Sequence, residues 1–248
     1  MPKEVNWKYS EKCFNFYDSA GKFEGGEAMF AIIDSSKKDE LQEIFTTGIN
    51  IKYNLYKKYL FQNNLFLFDS LEHNIKESVY CLIIGAYTAS ITNTNLILEK
   101  AVKLALIQYH SEDLLNYSDD ELIKKYIDSD KKFSGRNLDQ NIQTCKSLKI
   151  FNDFEANELK EYKVKYRDGF SHFTPKNILR GDKSLFHTEG ELIDQKMETI
   201  FKLPTYQAIE VMQFAINKAE DHLQYVMKII NHLQYKVLEK FAKKGKCS

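Results

Sequence analysis

An all-α helical bundle with an extended or hairpin arm at its N-terminus is the fold this sequence predicts, and three observations lead to it. The 248 residues include only three prolines and ten glycines, so long stretches run without a helix breaker. After Ser36, apolar residues return in steps of three and four, the period of one helix face. Residues 1–35 depart from that pattern, with two short aromatic or aliphatic runs around a glycine-rich centre in FNFYDSAGKFEGGEAMFAII. The chain is therefore divided into an N-terminal arm at 1–35 and a helical domain at 36–248, with a long connection at 173–204.

Ser36 and Asp39 have the spacing of a capping box. Leu41, Ile44, Phe45, Ile49, Leu55, Tyr56 and Tyr59 then trace a helical stripe. The longest periodic segment follows, in which Val79, Leu82, Ile83, Ala86, Ser90, Asn93, Ile97, Ala101 and Leu104 share one face. Gly85, Ala86, Ala89 and Ser90 leave room there for a close neighbour helix. Ser118 and Glu121 predict the start of a shorter helix. FNDFEANELKEYKVKYRD predicts another, while Pro175, Gly181, Gly190 and Pro204 punctuate the long connection. The last helix has the clearest stripe: Ile209, Met212, Ile216, Ala219, Leu223, Val226, Ile230, Leu233, Val237 and Phe241 form a core or partner-facing edge.

Composition narrows the function classes. No apolar run approaches the roughly eighteen residues of a membrane span, and the start MPKEVNWKYSEK lacks the apolar core and cleavage site of a signal peptide. A cytoplasmic protein is expected. Cys13, Cys81, Cys145 and Cys247 form no C-x-x-C pair, so reduced thiols are expected, with neither a zinc knuckle nor a redox dithiol. The formal net charge is zero, which argues against an indiscriminate nucleic-acid coat but not against a local basic cleft built by two chains.

The stretch YRDGFSHF, residues 166–173, concentrates the chemistry. It holds Arg167, one of only three arginines, together with Asp168 and His172. A guanidinium holds two phosphate oxygens at once, and an imidazole exchanges protons near neutral pH. Such a pair suits metal-free cleavage of an RNA backbone, in which the 2′-OH attacks the adjacent phosphate. Geometry sets a condition: in an ideal helix, residues five apart point about 140° away from each other. Convergence then needs a helix break, for which Gly169 is the expected place, or a second chain. If helix persists, Asp168 is spaced to orient His172 instead. Spacing alone does not single the pair out, since Arg180 and His187 have six residues between them.

An R-D-x-x-x-H motif at a helix end, behind a long helix with small residues, resembles the HEPN superfamily. Arg167, Asp168 and His172 occupy the hallmark positions. GAYTASITNTNLILEKAVKLAL is similar to the second helix of such domains, and Leu98-Glu99-Lys100 to its acidic segment. The likeness runs over roughly residues 38 to 241 in the order and spacing of helices. It implies an all-helical, usually dimeric, metal-independent endoribonuclease of antiphage defence or toxin type. RNA is the implied substrate, with no cofactor. Arg167 and His172 would be catalytic, with Asp168 and Glu99 supporting. The subgroup paired with a nucleotidyltransferase antitoxin often carries a Tyr two positions after the His. Here that position is Thr174, which leaves a regulatory or antitoxin protein an open partner.

The residues alone keep other readings open. In one, the chain is a non-catalytic helical interaction or RNA-binding module, with Arg167 and His172 holding a buried network or dimer contact. A phosphate- or nucleotide-sensing helical domain is a third. His73, His110, His187, His222 and His232 show no metal-ligand spacing and read as surface or helix-flank histidines. The run IKYNLYKKYLFQNNLFLF interleaves lysines with aromatics, which suits stacking on single-stranded RNA, although its periodicity favours core packing.

Overall fold

The computed structural model describes residues 26–61, 65–111, 118–180 and 203–245. Every regular element among them is helical. The first run of the expected N-terminal hairpin lies outside the described residues, but the second is helix: α1 spans Gly26–Tyr56. Ser36 is therefore an interior position, because the sequence from Glu27 onward contains no proline or further glycine before Gly48 to stop a helix. A π-helical turn, Lys57–Phe61, ends this segment. The chain divides into two compact units, residues 1–46 and 47–248. In the first, Leu41, Ile44 and Phe45 are exposed and Lys37 pairs with Glu40 at 2.6 Å.

The second unit contains the core. A short 3-10 turn, Asp69–Leu71, leads into α2, Glu72–Ile83, and α3 spans Tyr87–Ser111. The expected single helix across this region is two, because Gly85 takes φ +79°, a conformation that suits glycine and ends α2. The expected close approach does occur, through hydroxyls. Ser78 Oγ lies 2.7 Å from Thr94 Oγ1 and 3.1 Å from Ser90 Oγ, all three residues fully buried. Each hydroxyl found a partner, so the polar contact between α2 and α3 carries no unmet desolvation cost.

α3 is the central helix. Ile91, Ile97, Leu98, Ala101, Val102, Ala105 and Leu106 are buried, and α2, α4, α5 and α9 pack around them. Burying each large aliphatic side chain contributes about 1.5–3 kcal/mol before entropy is counted. α4, Asp120–Phe133, is capped by Asp119, whose carboxylate accepts the Leu122 N–H at 3.0 Å; the predicted cap, Ser118, is one residue early. α5, Leu138–Ser147, and α6, Asp153–Tyr162, each begin with a complete capping box, Asn137 with Gln140 and Asn152 with Glu155.

After α6 come a π-helical turn, Lys163–Asp168, the short α7, Gly169–Ser171, and α8, Pro175–Ile178. The rest of the long connection, residues 181–202, lies outside the described residues. α9 spans Pro204–Gly245. Its stripe is buried from Ala219 through Leu223, Val226, Ile230, Leu233 and Val237. In its first turns Ile209, Met212 and Ile216 are exposed, and Val211, Phe214 and Ala215 face inward in their place. No described helix is long and apolar enough to cross a membrane.

Candidate functional site

The Arg167 motif sits where the helix running from α6 changes type. The π turn replaces the regular α-helical bonding over Lys163–Asp168, so the ideal-helix angle does not carry across the motif. Gly169 is not the break expected from the sequence. It is α-helical, with φ −57° and ψ −53°. Its missing side chain matters for packing: a Cβ there would lie 2.7 Å from Ile178 Cγ1. Helix persists to the histidine, whose N–H donates to the Asp168 carbonyl at 3.1 Å. The chain turns away at Phe173, which takes φ +43°.

Arg167 is held in a fork of carboxylates. Its Nε donates to Glu99 Oε1 at 2.8 Å and its Nη1 to Asp168 Oδ1 at 3.0 Å. Asp168 Oδ2 accepts from Lys163 Nζ at 2.9 Å, and the same ammonium reaches Asp139 Oδ2 at 2.6 Å. Glu99 from α3, the π turn and Asp139 from α5 thus form one alternating chain of charge. The Glu99 hydrogen bond raises the Arg167 pKa above its ordinary value. Burial opposes ionisation of Asp168, yet the bonds from Lys163 and Arg167 outweigh it and hold the carboxyl below its usual range. Burial likewise works against the Lys163 charge, and its two carboxylates overcome it.

Two of the guanidinium's five N–H groups are spoken for by these bonds, and Nη2 has no partner among the described residues. The Arg167 side chain is 34% exposed, enough for a ligand to reach it. His172 is exposed, and no described side chain hydrogen-bonds its ring. The structure therefore brings Glu99, Arg167 and Asp168 together and leaves His172 outside their hydrogen bonds. Asp168 does not orient the imidazole, although the i, i+4 spacing is helical, because Arg167 and Lys163 occupy its oxygens. Arg180 is exposed, and His187 lies outside the described residues.

Behind the motif lies a network that sequence reasoning missed. His222, expected at the surface, is fully buried on α9. Its Nε2 donates to Asn95 Oδ1 at 3.0 Å, and its Nδ1 accepts from the Tyr162 hydroxyl at 3.1 Å. Its ring stacks on Tyr166 at 4.3 Å, with planes 3° from parallel, and Tyr162 stacks on Tyr166 and on Tyr225. Burial pushes the His222 pKa down to about 3, so the ring is neutral at physiological pH. Asn95 completes the link by donating Nδ2 to the Tyr166 carbonyl at 3.0 Å, one residue before Arg167. A signal was present in the sequence: His222 falls three residues after Ala219 and four before Val226, inside the buried stripe. Asn95 likewise precedes Glu99 by one helical turn.

The other described histidines have local partners. His110 Nδ1 bonds Ser129 Oγ at 2.9 Å, and His73 pairs with Glu77 at 3.3 Å. His232 donates to the Ile150 carbonyl at 2.9 Å and borders a groove of about 800 Å³ that shares no lining residue with the Arg167 motif. Comparison with family models, with curated proteins and with solved structures finds no match to this chain.

Proposed function

We propose that the protein is a metal-independent endoribonuclease of the HEPN type, acting in antiphage defence or as a toxin, with Arg167 and His172 as its reacting pair. The observation that carries this reading is the contrast inside one short segment. Arg167 is oriented on its protein side by Glu99 and Asp168 with no described partner for Nη2, and the six residues from Arg167 end on an exposed imidazole whose ring has no described partner. An oriented guanidinium and an exposed imidazole in the same short segment are the groups that phosphoryl transfer to an internal hydroxyl requires.

Local charge supports an anionic substrate. From Lys160 to Arg180 the chain carries six Lys or Arg residues against Glu161 and Asp168, a balance of +4. Glu99 and Asp139, which reach into this segment from α3 and α5, reduce it to +2. In the proposed reaction the 2′-oxygen bonds to phosphorus and the bond from phosphorus to the 5′-oxygen breaks. One imidazole accepts the 2′-OH proton and one returns a proton to the leaving 5′-oxygen. The products are a 2′,3′-cyclic phosphate and a 5′-hydroxyl. Two copies of the chain supply two imidazoles, which is the reason for reading the active form as a homodimer.

The test is RNA cleavage by the full chain in EDTA, with product ends analysed. Arg167→Ala and His172→Ala should each abolish cleavage while helix content and oligomeric state stay intact. Cleavage that persists in both variants would end the assignment.

A second reading is favoured by one feature of the same geometry: Arg167 lies between two carboxylates, as an arginine does when it only ties helices together. On that view the chain is a non-catalytic helical interaction module. It predicts that Arg167→Ala lowers the melting temperature or splits the dimer, and that no RNA is ever cut by the unmodified chain.

A further inference from the structure

The end of α1, the π turn after it and α2 bring four aromatic rings together at the surface of the second unit. Tyr53 and Tyr56 stack with centroids 5.9 Å apart and planes 8° from parallel. Tyr56 and Tyr80 continue the row at 6.1 Å and 7°, and Phe61 meets Tyr56 edge-on at 5.4 Å. Rings of this size normally lie in the core, yet Tyr53 is 46% exposed, Phe61 68% and Tyr80 44%. The core side of this segment is already filled by buried Tyr59. The exposed rings are not needed to complete it.

Cations accompany the rings. Lys57 Nζ lies 5.1 Å from the Tyr53 centroid and has no carboxylate partner among the described residues. Lys52 sits over Tyr87 at 4.6 Å and Lys58 over Tyr59 at 4.8 Å. Lys76 precedes Tyr80 by one helical turn. From Ile44 to Phe68 the chain has no Asp or Glu at all. Of the acids near this segment, Glu220 is paired with Lys58 at 3.2 Å and Asp221 with Lys218 at 3.3 Å, and Glu77 lies 3.3 Å from His73. Lysine is depleted from the centres of protein–protein interfaces, whereas rings flanked by lysines match what unpaired bases and phosphates require.

We propose that the Tyr53–Tyr56–Tyr80 row, with Phe61 and Lys57, is a binding surface for single-stranded RNA. Bases stack on the exposed rings, and Lys57 meets a phosphate. A duplex does not fit this chemistry, because its bases are already stacked on one another. The ring chemistry accepts either sugar, so the choice of RNA rests on the ribonuclease reading. The surface would deliver that site a single-stranded substrate.

The experiment is fluorescence anisotropy on the full chain carrying His172→Ala, so that no probe is cut. The probe is a fluorescein-labelled oligoadenylate of about twelve nucleotides. The unlabelled competitors are the same strand as duplex and as oligodeoxyadenylate. Tyr53→Ala and Tyr80→Ala should each weaken binding about five- to tenfold. Tyr53→Phe and Tyr80→Phe, which keep the ring, should bind as the parent does. Lys57→Gln should make binding less steep in salt, by about one counterion for each phosphate the side chain no longer neutralises.

Unchanged affinity in the alanine variants overturns the proposal, as does equal competition by duplex. Tighter binding of the deoxy strand overturns the choice of RNA. A shift in oligomeric state by light scattering, with RNA affinity intact, assigns the rings to a protein contact instead. The two readings fail separately. Binding through the rings with no cleavage by the unmodified chain removes the nuclease and leaves the surface. Cleavage with ring-independent binding removes the surface and leaves the nuclease.

Discussion

His222 is fully buried on α9, hydrogen-bonded at both ring nitrogens and stacked on Tyr162 and Tyr166, whereas His172 stands exposed at the end of α7 with no described partner for its ring. The two residues are tied to the same short segment, since Asn95 bridges His222 to the Tyr166 carbonyl and Arg167 follows at once. Their difference teaches how one side chain serves two ends. A histidine with both nitrogens committed in a dry site is a rigid strut. The exposed one has a ring that no described group holds. The backbone next to Arg167 is thus held by groups buried behind it.

The largest effect should come from the exposed residue. His172→Ala is expected to lower RNA cleavage about a hundredfold or more, while unfolding free energy changes by about 0.5 kcal/mol or less. Cleavage assays paired with urea denaturation check both halves, and a large stability loss would erase the contrast. The buried residue should behave in the opposite way. His222→Ala removes a stacked ring and leaves Asn95 and the Tyr162 hydroxyl short of a partner, at a cost of about 3 kcal/mol. A loss under about 1 kcal/mol would mean that the network is not the strut described.

Acid sharpens the comparison. The folded-state pKa of His222 is about 3 against an ordinary value of 6.5, so between those values the unfolded chain binds a proton that the folded one refuses. Stability contributed by the neutral ring is complete above pH 6.5 and falls as pH drops towards 3, with a limiting slope of about 1.4 kcal/mol per pH unit. His222→Phe should flatten this limb in denaturation curves taken across that window. Asp168, held below the usual carboxylate range by Lys163 and Arg167, contributes in full above its ordinary value of 3.8 and loses that contribution as pH falls below it.

The smallest effect expected is at Gly169. A Cβ 2.7 Å from Ile178 Cγ1 forces the isoleucine to move, and Gly169→Ala should cost about 1 kcal/mol of stability by thermal denaturation. If activity falls further than stability does, the packing of α8 against the π turn is what holds Arg167 in place. Equal losses would make the glycine a fold residue alone.

Much of this was legible in the chain itself. Scarce prolines and a period of three and four made the class all-α, because an apolar stripe on a helix has no other way to leave water. The buried half of α9, Ala219 to Val237, and the juxtaposition of Glu99 with Arg167 could both be anticipated, the first from periodicity and the second from a resemblance. The stripe was legible because each of its residues lies within a turn or two of the next, whereas the Glu99–Arg167 contact joins residues distant in the chain and only the resemblance pointed to it.

Other features needed the folded chain. Periodicity runs straight through Gly85, so only the backbone shows that α2 and α3 are separate helices. The stripe at Ile209, Met212 and Ile216 is indistinguishable in sequence from the buried turns after it, yet no described neighbour covers it. The Lys163–Asp139 link from α5 and the Asn95–His222 bridge join residues far apart in the chain. Side-chain type says what a histidine can do. Whether it is stripped of water or left in it depends on which helices close around it, and that was decided only by the tertiary structure.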